Sequence, residues 1–153
     1  MKKIPLTQGL FAIVDDEDYE ELMKYKWSAD KGNSTYYAQR TIIAQRKNVR
    51  MHRQIIGVTN PKLDVDHKNG NGLDNRRENL RVCTRSFNNA NSKTPKDNKS
   101  GHKGVCWDKE RKRWAVRIGR KHIGRYKDLR DAALAYNKAA IEIYGEFARI
   151  NHL

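Results

Sequence analysis

The chain contains little cysteine and no long apolar segment, and each shortage excludes a class of protein. Its two cysteines, Cys83 and Cys106, form no Cys-x-x-Cys pair, so we expect two buried free thiols and no zinc site. The longest conspicuous apolar run, Leu10–Val14, is far shorter than the roughly 20 residues that span a bilayer. Pro5 interrupts the basic N-terminus before any apolar stretch, so neither a signal peptide nor a membrane partner is expected.

Acidic residues are too few to balance the basic ones, since 18 Asp and Glu face 32 Lys and Arg, which leaves a net charge of +14. The excess is uneven, because residues 1–50 carry +2, residues 51–100 carry +5 and residues 101–153 carry +7. A positive charge concentrated in the later part of the chain favours a polyanionic partner over a merely solvated surface. Three Trp, seven Tyr and three Phe argue against a fully disordered chain.

The hydrophobic patterns predict an α+β protein in several parts. Residues 1–50 are predicted to form a small α/β supporting segment with its own sheet, and residues 51–92 a strand–loop–strand–helix unit. Residues 93–101 have the composition of a linker, and residues 102–153 are predicted to form a three-stranded antiparallel sheet packed on one helix. The predicted strands are 10–14, 36–41, 49–52, 63–67, 79–83, 104–107, 114–118 and 121–126. Helices are predicted after Asp15 as far as Trp27, over 53–56, after Thr84 or Ser86, and after the N-cap Asp128.

The acidic run Asp15–Asp18 admits two interpretations. Carboxylates in the first turn of a helix are stabilised by the exposed N–H groups and the macrodipole there. A metal site is the other interpretation, and helix capping is favoured.

Four side chains between residues 63 and 88 suit phosphodiester hydrolysis. Asp66 and His67 are adjacent, so a strand would point them to opposite faces and they would approach one centre from different angles. An imidazole such as that of His67 can act as a general base, and Asn79 could orient it. Asp66 and Asn88 offer the hard oxygen ligands that Mg²⁺ prefers. On spacing alone, a structural Asp-His pair and turn-forming asparagines explain the same residues, so both interpretations stay open.

A longer pattern favours the chemical interpretation. The runs are Val65-Asp66-His67-Lys68-Asn69-Gly70-Asn71, Asp74-Asn75-Arg76-Arg77-Glu78-Asn79-Leu80-Arg81 and Asn88-Asn89, preceded by Met51-His52-Arg53. Together they resemble the HNH endonuclease family, in particular its phage and intron-encoded homing branch. The resemblance implies a ββα-metal fold with Asp66 and Asn88 as metal ligands, His67 as general base and Asn79 orienting it. It also implies Mg²⁺ or Mn²⁺ as cofactor.

The C-terminal part has the pattern of a sheet with one basic face. Alternation places Trp114, Val116 and Ile118 on one face and Arg113 and Arg117 on the other. Arg120 and His122 would lie on the same basic face. Such a face suits the DNA major groove, although a solvated sheet face is the alternative.

Here a second resemblance appears. The matching runs are Lys103-Gly104-Val105, Trp114-Ala115-Val116-Arg117-Ile118, Ile123-Gly124-Arg125-Tyr126 and the helix Asp131–Ala140. They resemble the Apetala-type DNA-binding domain of plant ethylene-response factors, which reads the major groove with its sheet. By motif position the resemblance implies DNA contacts from Lys103, Arg113, Arg117, Arg120, His122 and Arg125.

Taken together, these patterns predict a DNA endonuclease whose nuclease unit cuts and whose C-terminal unit binds double-stranded DNA. The resemblance implies a phage or mobile-element homing enzyme in the cytoplasm of a bacterium or a phage-infected cell. A monomer is compatible with the sequence. The alternatives are a sequence-specific DNA-binding regulator with an inactive HNH unit and, with less support, an RNA-binding protein.

Overall fold

The computed structural model describes all 153 residues and contains ten strands and four α-helices. The chain divides into a first unit, Met1–Asn88, and a second unit, Asn89–Leu153. The first unit contains β1 Lys2–Pro5, β2 Phe11–Val14, α1 Asp16–Met23, β3 Ser28–Lys31, β4 Tyr36–Ile42, β5 Lys47–Arg50, α2 Met51–Ile56, β6 Leu63–His67 and β7 Leu80–Thr84. Helix α3, Arg85–Ala90, crosses the boundary, and the second unit continues with β8 Val105–Asp108, β9 Arg113–Ile118, β10 Lys121–Tyr126 and α4 Leu129–Tyr144.

All four sheets are small and antiparallel, so the chain is a mixed α and β protein. The first unit holds the pairs β1–β2 and β6–β7 and the three-stranded sheet β3–β4–β5, and the second unit holds β10–β9–β8. None of the four helices is long and apolar enough to cross a membrane. Residues 93–101 contain neither helix nor strand.

Side chains from both ends of the first unit form its core. Strand β1 was not predicted, because only one apolar side chain, Ile4, marks it as buried, and Ile4 lies opposite Ala12 of β2. The buried core residues are Ile4, Ala12, Val14, Leu22, Trp27, Ala38, Met51, Ile55, Val65 and Leu80. The core therefore joins the N-terminal strands to α2 and to the β6–β7 pair.

Helix α1 is shorter than the hydrophobic spacing predicted. It ends at Met23, and the buried indole of Trp27 folds back to donate its N–H to the Leu22 carbonyl at 2.8 Å. Trp27 therefore packs against the end of the helix from a loop. Its spacing from Met23 is that of a helix, although the backbone at Trp27 is not helical.

The acidic run before and within α1 holds a distant loop. Three acidic residues lie in the first turn, as predicted, but Asp15 makes no side-chain cap bond. Its carboxylate accepts the Arg77 backbone N–H at 2.8 Å, and Asp18 binds the Arg77 guanidinium at 2.7 and 2.9 Å. The run therefore stabilises the segment that enters β7 as well as the helix.

The predicted strand 49–52 is divided in the structure. Strand β5 ends at Arg50, and α2 begins at Met51. Met51 and Ile55 are one helical turn apart and both are buried in the first core, which favours a helix at this point. The helix stops at Gly57, whose φ of 72° is the left-handed conformation that glycine adopts without strain.

In the second unit, α4 packs on the three-stranded sheet through small residues. Ala132, Ala140 and Tyr136 pack with Val105, Val116 and Ile118. Asp128 caps α4, since its carboxylate accepts the N–H groups of Arg130 and Asp131, as predicted. Gly104 has a φ of +72°, and a Cβ there would lie 2.2 Å from the Tyr136 ring, so only glycine fits.

The two cysteines differ in environment. Both are free, and Cys83 is buried whereas Cys106 is exposed. The prediction of two buried thiols is therefore wrong for Cys106, because it lies opposite Ala115 on the outer face of the β8–β9 pair, away from α4.

Candidate functional site

Strand β6 presents two carboxylates on one face and an imidazole on the other. Successive side chains of a strand alternate, so Asp64 and Asp66 share a face while Val65 and His67 share the opposite one. Val65 belongs to the first core. His67 is therefore directed inward, and it is only 5% exposed.

The ring of His67 lies among aromatic and amide side chains. His52 of α2 packs edge-on against it with ring centroids 5.0 Å apart, and the Tyr37 ring of β4 lies 5.9 Å from it. The amide Oδ1 of Asn75 lies 3.3 Å from His67 Nε2. Burial is the main cause that lowers the pKa of His67 below its ordinary value, and its neighbours Asn75, Asp66 and Asp74 act in the other direction. At neutral pH the ring is neutral, which is the form that a general base requires.

Two side chains that pack against His67, those of His52 and Tyr37, were not assigned a role from the sequence. In the sequence, His52 is marked only by the Met51-His52-Arg53 similarity, because residue 52 was predicted to end a strand and its place on α2 is seen only in the structure. Burial lowers the pKa of His52 to about 3. Gly72 allows the loop after β6 to approach Tyr37, since a Cβ at Gly72 would lie 2.6 Å from the Tyr37 ring.

Asp66 forms a buried ion pair with Arg81, which lies directly opposite it on β7. The Asp66 Oδ2 atom accepts from the Arg81 Nε at 2.8 Å and from its Nη2 at 2.7 Å. The side chains are 6% and 10% exposed, respectively. Asp66 is thus placed in a site where a positive charge already compensates it.

Asn88 meets a carboxylate that was not singled out from the sequence. Its Nδ2 donates to Asp64 Oδ2 at 3.0 Å, and the Arg85 Nε lies 2.7 Å from the same oxygen. Because Asp64 precedes Asp66 by two residues in a strand, the two carboxylates face the same side, and this spacing could have identified Asp64. No group of three or more His, Cys, Asp or Glu side chains is arranged to hold a metal ion.

Asn79 closes the loop between β6 and β7. Its Nδ2 donates to the Asp74 carbonyl at 2.8 Å and to Asn69 Oδ1 at 3.1 Å, and its Oδ1 accepts the Asn69 N–H at 3.1 Å. The Arg76 guanidinium binds the carboxylate of Asp74 and is the main cause that lowers its pKa. These contacts hold the loop backbone in place beside His67.

The second unit carries an exposed basic face on its sheet, on the side away from α4. Arg117 and His122 lie opposite each other on β9 and β10, and paired residues of antiparallel strands project to the same face. Arg117, Arg120 and His122 are all exposed. Trp114 and Val116 point to the α4 side, in agreement with the predicted alternation.

Two other residues predicted on this face are bonded within the protein. Arg125 and Asp108 flank Ala115 on the outer face, and the Arg125 Nε donates to Asp108 Oδ2 at 3.1 Å. Ala115 is consequently only 3% exposed, although it lies on the outer side. Arg113 is half-buried and donates to the Lys112 carbonyl at 2.9 Å.

Lys103 lies apart from the basic face. Its ammonium donates to the carbonyl oxygens of Asn89 and Ala90 in the last turn of α3 and of Ser92 just after it. Burial lowers the pKa of Lys103 to about 8. The side chain therefore satisfies carbonyl groups at a helix end, as cations at helix C-termini do.

Comparison with known proteins places a family match within residues 52–90 of the chain. A family model described as HNH endonuclease matches residues 52–90. The chain is 34% identical over 109 residues to Protein 3.8 of Escherichia phage T7, an alignment that covers 69% of this chain and 90% of that protein. It is 31% identical over 148 residues to a protein of Acanthamoeba polyphaga mimivirus named as an uncharacterized HNH endonuclease, covering 95% of this chain and 77% of that protein. No solved structure matches the chain.

The chain therefore belongs to the HNH endonuclease family. The matched segment contains Asp66, His67, Asn79 and Asn88, together with His52 at its first position. Family membership supports a nuclease, and the C-terminal sheet lies outside the matched segment.

Proposed function

We propose that the protein is a divalent-metal-dependent DNA endonuclease, in which the first unit hydrolyses a phosphodiester bond and the second unit binds double-stranded DNA. The observation that carries the proposal is the arrangement on β6. A buried, neutral His67 lies on one face, next to a carboxylate, Asp66, on the other face, within the segment that matches the HNH endonuclease family.

Oxygen ligands for a hard cation are available on the carboxylate face. Asp66 and Asp64 already bind cationic groups, from Arg81 and Arg85, so the face selects positive charge. Asn88 donates its Nδ2 to Asp64, which leaves its amide oxygen as a neutral ligand. These donors fit Mg²⁺ or Mn²⁺, and Asp66 and Asn88 would hold the ion, with Asp64 beside them. When bound, such an ion supplies Lewis-acid stabilisation of the negative charge that develops on the phosphate and the leaving oxygen.

The protein side chains divide the remaining work. His67 accepts the proton of the attacking water, because its ring is neutral and held by Tyr37, His52 and Asn75. Asn79 keeps the loop after β6 in place through Asp74 and Asn69, and so supports the orientation of His67 indirectly.

The basic face of the second unit is proposed to bind the duplex. Arg117, Arg120 and His122 are exposed, and residues 101–153 carry a net charge of +7, which suits phosphate contacts. An Apetala-type mode, with the sheet in the major groove, is part of the proposal. Arg113 and Arg125 contribute less because their guanidinium groups are bonded within the sheet, and Lys103 supports the unit instead.

The biological setting we propose is homing by a phage or mobile element. It rests on the resemblance of residues 50–92 to homing nucleases and on the similarity of the chain to a phage protein, Protein 3.8 of Escherichia phage T7. A monomeric enzyme acting in the cytoplasm of the host cell is the simplest form of this proposal.

The test is cleavage of a supercoiled plasmid in Mg²⁺, in Mn²⁺ and in chelator, with the wild type and His67→Ala. We expect metal-dependent cleavage that falls by about 100- to 10,000-fold in His67→Ala, while DNA affinity in a gel-shift assay is nearly unchanged. His152→Ala is the matched control, because it removes an exposed imidazole and should cut normally.

Tight DNA binding by the wild type without cutting in any divalent metal would instead support the DNA-binding regulator with an inactive HNH unit. Equal loss of binding and cutting in His67→Ala would contradict the base role of His67. Preferential binding of RNA over duplex DNA would contradict the proposed substrate.

A further inference from the structure

Asn75 contacts His67 but was not selected from the sequence. Its side chain is 0% exposed, and its Oδ1 lies 3.3 Å from His67 Nε2. An amide oxygen can only accept a hydrogen bond, so the ring nitrogen that faces it has to carry the proton. This contact therefore bears on the distribution of protons between the two nitrogens of the ring.

The position of Asn75 is set by its backbone and its neighbours. Its N–H donates to the Ile13 carbonyl of β2 at 2.7 Å, and the Ile13 N–H donates to the Leu73 carbonyl at 2.8 Å. Asn79 binds the Asp74 carbonyl from the other side at 2.8 Å. The loop backbone is thus held on both sides of Asn75 without help from its side chain, and this places the amide against His67.

The amide nitrogen of Asn75 has no stabilising contact in its buried location. Its Nδ2 is buried and has no hydrogen-bond partner in the protein. A buried donor without a partner costs about 1–3 kcal/mol. An apolar residue of similar size would avoid that cost, so the presence of asparagine is explained by what its oxygen does for His67.

We propose that Asn75 is a positioning residue that holds His67 in the Nε2–H tautomer and leaves the lone pair on Nδ1. As regards catalysis this inference rests on the proposed function, and it makes Nδ1 the atom that takes the proton of the attacking water. The family resemblance implied that Asn79 orients the imidazole of His67, and this role is then divided between two residues. Asn79 binds the loop, and Asn75 touches the imidazole.

The tautomer can be measured without metal, DNA or activity. Nitrogen-15 chemical shifts of the His67 ring, recorded on the full chain at a mildly alkaline pH, distinguish a protonated Nε2 from a protonated Nδ1. We expect the Nε2–H form in the wild type, and a mixed or reversed population in Asn75→Leu, which keeps the branched shape of the side chain but cannot accept a hydrogen bond. Asn75→Asp, which still accepts, should retain the Nε2–H form. Asn33→Leu is the matched control, since it alters an exposed turn asparagine and should leave the ring spectrum unchanged.

Cleavage kinetics provide the second readout. Asn75→Leu should lower kcat on the order of 10- to 100-fold with KM for DNA nearly unchanged, and Asn75→Asp should recover part of the loss. Asn75→Ala, which is smaller and also cannot accept a hydrogen bond, replaces Asn75→Leu if the leucine variant does not fold.

The inference is overturned if the wild-type ring is protonated on Nδ1, or if a folded Asn75→Leu keeps the wild-type tautomer and kcat. A wild type that shows the expected tautomers but never cuts DNA would overturn the proposed nuclease and leave the Asn75–His67 contact intact. The two failures are therefore distinguishable.

Discussion

The imidazole of His52 packs edge-on against that of His67, with ring centroids 5.0 Å apart and planes at 87°. The two histidines differ in their setting. His67 lies at the end of a strand whose other face carries carboxylates, whereas His52 lies in a helix beside the core residue Met51. Because the rings touch, a positive charge on either one would raise the cost of charging the other.

The buried His52 makes the stability of the fold depend on pH. Burial lowers the pKa of His52 from 6.5 to about 3 in the folded chain, so between these values the unfolded state binds more protons than the folded state. The free energy of unfolding should therefore fall as pH decreases from 6.5 toward 3, with this residue contributing up to about 1.4 kcal/mol per pH unit. Urea unfolding of the wild type and His52→Leu over this range measures the difference in slope.

We expect a shallower pH dependence in His52→Leu, whatever its stability at neutral pH. His122→Gln serves as the control, since that imidazole is exposed, and it should keep the wild-type slope. Equal slopes in the wild type and His52→Leu would show that His52 is not held neutral by the fold.

Metal binding should stabilise the chain through the carboxylate face. Ligands that bind only the folded state raise Tm by mass action. We expect Mg²⁺ or Mn²⁺ to raise the Tm of the wild type in a thermal-shift assay, and chelator to reverse the rise. Asp66→Asn should reduce the shift, because it removes an anionic ligand.

The baseline of Asp66→Asn needs its own measurement. Losing one partner of a buried ion pair costs about 3–5 kcal/mol, so this variant should already melt earlier without metal because Arg81 is left uncompensated. The comparison is therefore the metal-induced shift within each variant. Asp97→Asn, at an exposed aspartate in the second unit, should show the full shift. A full shift in Asp66→Asn as well would place the metal elsewhere.

The basic face of the second unit should control the salt dependence of DNA binding. Each phosphate contact that is lost reduces the slope of log affinity against log salt by about 0.9. We expect Arg117→Ala and Arg120→Ala each to weaken binding and reduce the slope, measured by fluorescence anisotropy at several salt concentrations. Arg130→Ala removes the same charge from the exposed start of α4, in the other layer, and should change the slope less. Equal effects of all three variants would indicate a diffuse charge effect and not a binding face.

Lys103 should affect stability more than DNA binding. Lys103→Met keeps the length of the side chain but removes the donors to the carbonyl groups of Ala90 and Ser92. We expect a loss of about 1 kcal/mol in urea unfolding, because hydrogen bonds from a charged donor to part-buried and exposed carbonyl groups are lost, with an unchanged salt slope. Lys109→Met, at an exposed lysine of the β8–β9 turn, should leave the stability unchanged. A smaller slope of log DNA affinity against log salt in Lys103→Met would show that Lys103 contacts phosphate.

Most elements of the second unit could be predicted because their signals are local. Alternation in β9, the carboxylate cap at Asp128 and the alanine-rich face of α4 each depend on residues that are neighbours in sequence. In the first unit, β1 was missed and α1 was predicted too long. Trp27 has helical spacing from Met23, but it reaches the core from a loop.

The site residues divide in the same way. The segment that carries Asp66, His67, Asn79 and Asn88 could be identified from its motif, and the opposite orientation of Asp66 and His67 follows from strand alternation. The partners of these residues could not be identified. Asn75 meets His67, and Asn88 meets Asp64, through contacts that form only when a loop and a helix fold back on β6.

The residue pattern alone was enough to define the nuclease family, the basic C-terminal part and the faces of its strands, because these depend on residue type and on a period of two or 3.6 residues. Tertiary packing determined which histidine is accompanied by a buried second histidine, which arginines are already bonded and which asparagine touches the imidazole. The reason is physical. The sequence gives the chemical type of each side chain. Its charge state and its hydrogen-bond partner depend on burial and on neighbouring groups, and only the folded chain supplies these.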